Sequence, residues 1–203
     1  MERRQRGRPR AFDRDHVILE AARLFWARGY SGTSTRDLTA ATGLSTSSLY
    51  AAFGSKAGLF EGAVRTYAER YREIYARAVA EEDVHTVLER ILVDSVDEFC
   101  RPSDTHPGCL LSSAVMTDST DTLDAGTYFA ELQVSNERTL RERIERALEH
   151  GELAAAVDAG VVAGLVQSVW HGLSVRSRLG APREDLLAVA RCTLDLIRER
   201  FTP

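Results

Sequence analysis

At 203 residues, with 44% hydrophobic and 28% charged residues, the chain has ordinary globular composition and length enough for a sizeable core, which excludes a disordered or fibrous polypeptide. Its formal charge of −4 hides a division: residues 1–60 carry ten Lys and Arg against five Asp and Glu, the remainder 16 against 25, so the basic end is the end suited to nucleic acid. Cys100, Cys109 and Cys192 are an odd number at no zinc-finger spacing and argue for reduced thiols in a cytoplasm, and the longest apolar-and-Gly run, Ala159–Val166, is too short to span a bilayer, so no membrane partner is expected.

Residues 1–11 read as a flexible arm. Arg3, Arg4, Arg6, Arg8 and Arg10 face the single acid Glu2, and Gly7 and Pro9 oppose a helix. Its Gly-Arg-Pro core resembles an AT-hook, which would lay Arg8 and Arg10 in a narrow A·T minor groove; the alternative is a solvated tail that meets phosphates without sequence preference. The Arg-rich start has no apolar stretch behind it and is no signal peptide. Asp13 to Arg28 then reads as a helix, with Val17, Ile18, Ala21, Ala22, Leu24 and Phe25 in one stripe and Gly29 as its stop.

From Thr33 to Phe60 the spacing predicts two short helices joined by a tight turn. Thr33, Ser34 and Thr35 are all helix-start residues, and Leu38 and Ala41 give the first helix an apolar face. Gly43 is the residue type that sits at positive φ after a helix end. Ser45 then caps Thr46 to Phe53, with Leu49, Ala52 and Phe53 inward and Thr46, Ser47, Ser48 and Ala51 outward. Small hydroxyls and a methyl suit the floor of a DNA major groove, so Thr46 and Ser47 are the expected base-edge readers, with Ser48 and Ala51 behind them. A capped, exposed helix end is the bland alternative. Ser55 caps a third helix that begins at Lys56.

Gly29-Tyr30, Thr33-Ser34, Arg36-Asp37-Leu38, Gly43-Leu44-Ser45, Leu49-Tyr50, Phe53 and Ser55-Lys56 with Leu59-Phe60 together resemble the DNA-binding domain of the TetR family of transcriptional regulators. Thr39 stands where the family usually has Ala, Ser47 where Gly is common, Ala52 where His or Tyr is common, and Ala57 where an acid is usual, so the operator does not transfer from a relative. The resemblance implies an all-α chain: a three-helix helix-turn-helix domain over residues 12–58 and a helical effector-binding and dimerisation domain over 59–203. It also implies a double-stranded DNA operator as partner, with Tyr50, Lys56 and Thr35 on phosphates and Arg36 on the same surface. Tyr50 can equally be a half-buried core tyrosine with its hydroxyl outward.

A long helix from Lys56 to about Ala80, with Phe60, Val64, Tyr67, Tyr71, Ile74 and Ala78 at helical spacing, links the reading head to the rest. Five further helices are expected over 84–100, 107–119, 125–150, 157–179 and 183–201, and no strand pattern or internal repeat is present. One stripe of the fourth is Val161, Leu165, Ser168, Gly172, Val175 and Leu179, with small residues that admit another helix closely. The last offers Leu186, Leu187, Ala190, Leu194, Ile197 and Phe201. Trp170-His171-Gly172-Leu173 onward to Leu186 resembles the last two helices of many TetR-like proteins. That implies a homodimer through a four-helix interface built on Leu165, Gly172, Val175, Leu187, Leu194 and Ile197; an intramolecular core is the alternative.

The resemblance also implies a small-molecule effector pocket, for which Tyr67, Phe99, Cys109, Leu110, Met116, Phe129 and Trp170 are the candidates, with solid core as the alternative. Cys109 follows Pro107-Gly108 near an expected helix N-terminus, three residues from His106, which suits a reactive thiolate. Cys100, His106 and Cys109 can instead ligate a soft metal, and a buried free cysteine is the ordinary reading; no metal or cofactor is assigned. With no third orienting group and no phosphate loop, no enzyme is expected. The expected function is a dimeric one-component transcriptional regulator, a repressor released by its effector. The alternatives are a redox- or electrophile-sensing repressor acting through Cys109, and a DNA-binding module without small-molecule control.

Overall fold

Six of the described helices open on a short polar side chain that accepts a backbone N–H, and this is the local rule from which the architecture is built. In the computed structural model, which describes residues 12–101, 109–110 and 123–202, the helices are α1 (Arg14–Gly32), α2 (Thr35–Thr42), α3 (Thr46–Phe53), α4 (Lys56–Val79), α5 (Val84–Phe99), α6 (Leu123–Glu149), α7 (Ala159–Arg178) and α8 (Arg183–Phe201). The caps are Asp13, Ser34, Ser45, Ser55, Asp83 and Asp158, ahead of α1, α2, α3, α4, α5 and α7. Among the described residues no strand is present, in agreement with the all-α expectation. The expected helix over 107–119 lies outside the described residues except for Cys109 and Leu110.

The head is α1 to α3 laid on the start of α4. The expected stop at Gly29 is a break inside α1, where φ 70 and ψ 172 take that residue out of the helical repeat before a final turn to Gly32. Thr33 is buried and uses its hydroxyl on the Gly29 carbonyl, at 2.8 Å, rather than as a cap; the cap is Ser34. Gly43 has φ 68, the left-handed conformation that the tight turn requires. Leu38 is the buried residue of α2, whereas Ala41 is exposed. Phe25, Leu38, Leu49, Leu59 and Phe60 close the core of the head, with Phe60 edge-on to both Phe25 and Tyr30.

From there α4 runs on into the body, where it packs against α5 and α6; α5 contacts α7 and α8, α6 lies along α7, and α7 on α8. Buried polar side chains tie these helices pairwise. Gln167 Nε2 donates to the Tyr75 hydroxyl (2.6 Å), Trp170 Nε1 to Ser95 Oγ (2.8 Å) and the Ser177 hydroxyl to the Phe99 carbonyl (3.3 Å). Glu98, 4% exposed, is neutralised by Arg70 at 3.0 Å and by Arg101. Arg143 caps the carbonyls of Glu81 and Glu82 beyond the end of α4 and lies 3.5 Å from Glu152, whose carboxylate accepts from the Val84 N–H. No described helix is long and apolar enough to cross a membrane.

Candidate nucleic-acid interface

The two short helices meet the requirement of a groove reader: α3 is buried on one face by Leu49 and Phe53, and Thr46, Ser47, Ser48, Tyr50 and Ala51 stand exposed on the other. Its N-terminus is a cluster of hydroxyls. Ser45 Oγ accepts from the Ser48 N–H at 3.1 Å and lies 3.0 Å from Ser47 Oγ and 2.9 Å from Ser48 Oγ. Ser47 and Ser48 are thus engaged by the cap, which takes up part of their hydrogen-bonding capacity. Thr46 stands exposed beside them.

The sequence-selected residues of α2 and α3 are brought together by one contact. Thr35 Oγ1 lies 3.0 Å from the Tyr50 hydroxyl, so the first turn of α2 and the middle of α3 offer paired hydroxyls and backbone N–H groups at one place. Tyr50 is 39% exposed, which places it at the surface rather than in the core. Arg36 is exposed on α2; Lys56 is half-buried, its Nζ 4.1 Å above the Tyr30 ring. Arg8 and Arg10 lie outside the described residues.

Two supports of this surface were not visible in the sequence. Arg14 Nη1 donates to the Ala52 carbonyl at 2.9 Å while its guanidinium lies 4.4 Å over the Phe53 ring, so α1 caps the C-terminal end of α3. Arg28 pairs with Asp37 at 3.0 Å and fixes α2 to α1. Both span residues on different helices, and only the fold makes them neighbours. Asp37 also closes a capping box: its carboxylate accepts from the Ser34 N–H at 2.9 Å, and Ser34 Oγ accepts from the Asp37 N–H at 3.1 Å. The Ser34 hydroxyl and N–H, with Arg28 beyond, hold the Asp37 carboxyl below its ordinary value. That stabilisation is present above the ordinary carboxylate range and is lost as pH falls through the lowered value. Replacing Ser34 by Ala is expected to destabilise the protein by about 1 kcal/mol, read as a lower urea midpoint at unchanged slope.

Residues 17–63 match the family model described as bacterial regulatory proteins, tetR family. Over 196 residues, 96% of this chain and 93% of the other, the sequence is 32% identical to the HTH-type transcriptional repressor ComR of Escherichia coli (strain K12). The chain belongs to the TetR family of transcriptional regulators.

A second relative, the HTH-type transcriptional repressor BdcR of the same organism, is 27% identical over 193 residues, covering 95% of this chain and 92% of that one. Among solved structures, a cysteine mutant of the TetR family transcriptional regulator CifR, complexed with 26 bp double-strand operator DNA, superposes with a TM-score of 0.84 at 35% identity and covers 93% of this chain and 98% of that chain. TetR regulators are DNA-binding transcription factors, and this one is not an enzyme.

The body of this TetR protein differs from the sequence expectation in one respect. Leu187, Leu194 and Ile197, expected at a subunit interface, are buried in the chain's own core at 6%, 9% and 1% exposure. The three- and four-residue spacing of α8 fits either side of that helix; α5 and α7 take the side these residues occupy. The large outward apolar residue of α8 is Leu196, one turn from exposed Cys192. On α7, by contrast, Leu165, Gly172 and Val175 do face outward.

Of the effector-pocket candidates, Tyr67, Phe99, Cys109, Leu110 and Trp170 are buried, Phe129 is half-buried, and Met116 lies outside the described residues. The rings pack on one another about Tyr71, with centroids 5.7 Å from Tyr67, 5.9 Å from Phe99 and 5.3 Å from Trp170. Burial, with Cys109 and Tyr67 beside it, pushes the Tyr71 hydroxyl well above its ordinary pKa. His106 lies outside the described residues, so the Cys100–His106–Cys109 arrangement does too; among the described residues no group of three His, Cys, Asp or Glu is placed to hold a metal.

Proposed function

We propose that the protein is a homodimeric repressor that binds double-stranded operator DNA through α3 and is released by a small molecule bound in the helical body. The observation that carries the DNA reading is the exposed α3 face, on which Thr46, Ser47, Ser48 and Ala51 are small and Tyr50 pairs its hydroxyl with Thr35, on the basic end of the chain. The solved CifR mutant, similar over nearly the whole length, is complexed with operator DNA. In this reading Thr46, with Ser47, Ser48 and Ala51, meets base edges; Thr35, Arg36, Tyr50 and Lys56 hold phosphates; and Arg8 and Arg10 follow the minor groove.

The dimer reading rests on α7. Val161, Leu165, Val175 and Leu179 are 64%, 42%, 44% and 82% exposed in one stripe about 27 Å long, and a Cβ at Gly172 in its middle would meet nothing within 4 Å. On α8, which packs against α7, the large outward apolar residue is Leu196, 61% exposed. A second copy supplies the same patch by two-fold symmetry, which covers all of it and sets two α3 helices on successive major grooves. The effector acts by population shift: a ligand that binds better to a dimer with wrongly spaced heads draws it off DNA. The ring cluster of Tyr67, Tyr71, Phe99 and Trp170 is the proposed place, since α4, α5 and α7 meet there.

The test separates reading from holding. Against duplexes selected from a random pool, Thr46→Ala is expected to change which bases are preferred at one position of each half-site. Lys56→Ala weakens all sequences alike and flattens the salt dependence of log K by about 0.9 for each phosphate no longer neutralised. Identical behaviour of the two variants would remove the assignment.

A further inference from the structure

We propose that Arg178 is a positioning residue for DNA binding: from the C-terminal end of α7 it tethers the reading head to the body and so sets the separation of the paired α3 helices. The proposal rests on the dimer reading above. Arg178 Nη1 donates to the Trp26 carbonyl at 3.0 Å, across 152 positions of sequence. Trp26 sits in the turn of α1 that the Gly29 break terminates, so its carbonyl belongs to a helix C-terminus, the site where a guanidinium is favoured both as donor and as charge.

The tether closes a ring of contacts. The Trp26 indole packs edge-on against Tyr67 of α4, with centroids 4.9 Å apart; Tyr67 meets Tyr71, and Tyr71 meets Trp170 of α7 at 85°. Two turns beyond Trp170, about 12 Å along the same helix, stands Arg178. The circuit from α1 through α4 to α7 and back is thus fixed at both ends, by rings at one and by the guanidinium at the other. Loss of Arg178 removes this tie between α7 and α1, and the head gains freedom to swing about α4. Because α7 also carries the outward stripe of Val161, Leu165 and Val175, the tether ties head orientation to the helix that the dimer reading places at the two-fold axis.

A loosened tether has a signature that removal of a phosphate-binding charge lacks. The probes are a duplex selected by the wild-type protein, the same duplex with one or two base pairs inserted between half-sites, and a single half-site. Arg178→Ala is expected to bind the selected duplex about tenfold more weakly, as loss of one charge-assisted hydrogen bond implies. It should lose most of the discrimination against the inserted duplexes, with half-site affinity and salt slope unchanged. Arg178→Lys, which keeps a cationic donor, restores most of the discrimination. If Arg178→Ala does not fold, Arg178→Met, which keeps the apolar stem, serves the same comparison. Discrimination equal to wild type in Arg178→Ala or Arg178→Met, or a salt slope reduced by about 0.9, overturns the tether alone. A wild-type protein that is dimeric by sedimentation yet indifferent to spacing also overturns it, whereas a monomeric wild type overturns the dimer reading and the tether together.

Discussion

Leu165→Arg is expected to give a folded monomer that has lost operator affinity by about a hundredfold or more. The magnitude follows from linkage rather than from any contact to DNA. Two heads held at the separation of two half-sites bind the second as an intramolecular event, and dividing them forfeits an avidity of about 10²–10⁴. Leu165 is 42% exposed and flanks the open surface over Gly172, so an arginine there has room in the single chain. Against a symmetry-related copy it would bury one charge from each subunit near the axis, with no acid on the stripe to pair with it. Sedimentation equilibrium reads the assembly state, and titration of full and half-site duplexes reads the avidity: the variant should treat both alike. A variant that stays dimeric and binds normally removes α7 from the interface. Leu187→Ala is the instructive contrast. That side chain is 6% exposed within the subunit, so it should cost about 2–5 kcal/mol of stability through the cavity it leaves.

The same pair of residues shows what the sequence could and could not disclose. Several helix boundaries in the head were legible because each is written in one or two residues, Ser45 and Ser55 at starts and Gly43 at positive φ, whereas Gly29 marks a break inside α1 and not its end. The outward stripe of α7 was legible because Gly172 and Ser168 interrupt it with small residues. In α8 the period fits more than one assignment: Leu187, Leu194 and Ile197 share a side whether it faces a neighbour in the chain or a second chain, and only the packing of α5 and α7 decides. Candidate DNA contacts on α3 could be named from chemistry alone, but not that the Ser45 cap engages Ser47 and Ser48. Arg14, Arg28 and Arg178 were illegible for one reason. An arginine that caps a distant carbonyl or pairs with a distant acid has the same sequence signature as a solvated one.

Gly58 is the position in the head where one methyl group is expected to do the most harm. A Cβ built there lies 2.1 Å from the Phe53 carbonyl oxygen and 3.4 Å from its carbon, atoms of the backbone that ends α3. An ordinary carbon–oxygen contact needs about 1 Å more, so either α4 withdraws or the end of α3 is pushed away. Neither can yield cheaply. The Ser55 side chain holds the Gly58 N–H at 3.0 Å, and Phe53 is buried and held by Arg14, whose guanidinium lies over its ring and which holds the Ala52 carbonyl beside it. Gly58→Ala should therefore cost about 1–3 kcal/mol despite the gain in helix propensity. It should also weaken operator binding at temperatures where the protein is still folded, because a reading helix displaced by a substantial fraction of an ångström no longer matches base edges. Gly62, one turn further along α4, supplies the control: a Cβ there meets only Ile18 Cδ1 at 3.9 Å, an ordinary contact. Gly62→Ala should be neutral or stabilising by up to about 1 kcal/mol and leave operator affinity alone. Thermal melts and duplex titrations on the two variants distinguish a steric requirement at the α3–α4 turn from a general intolerance of side chains on this face of α4; equal loss in both would mean the latter.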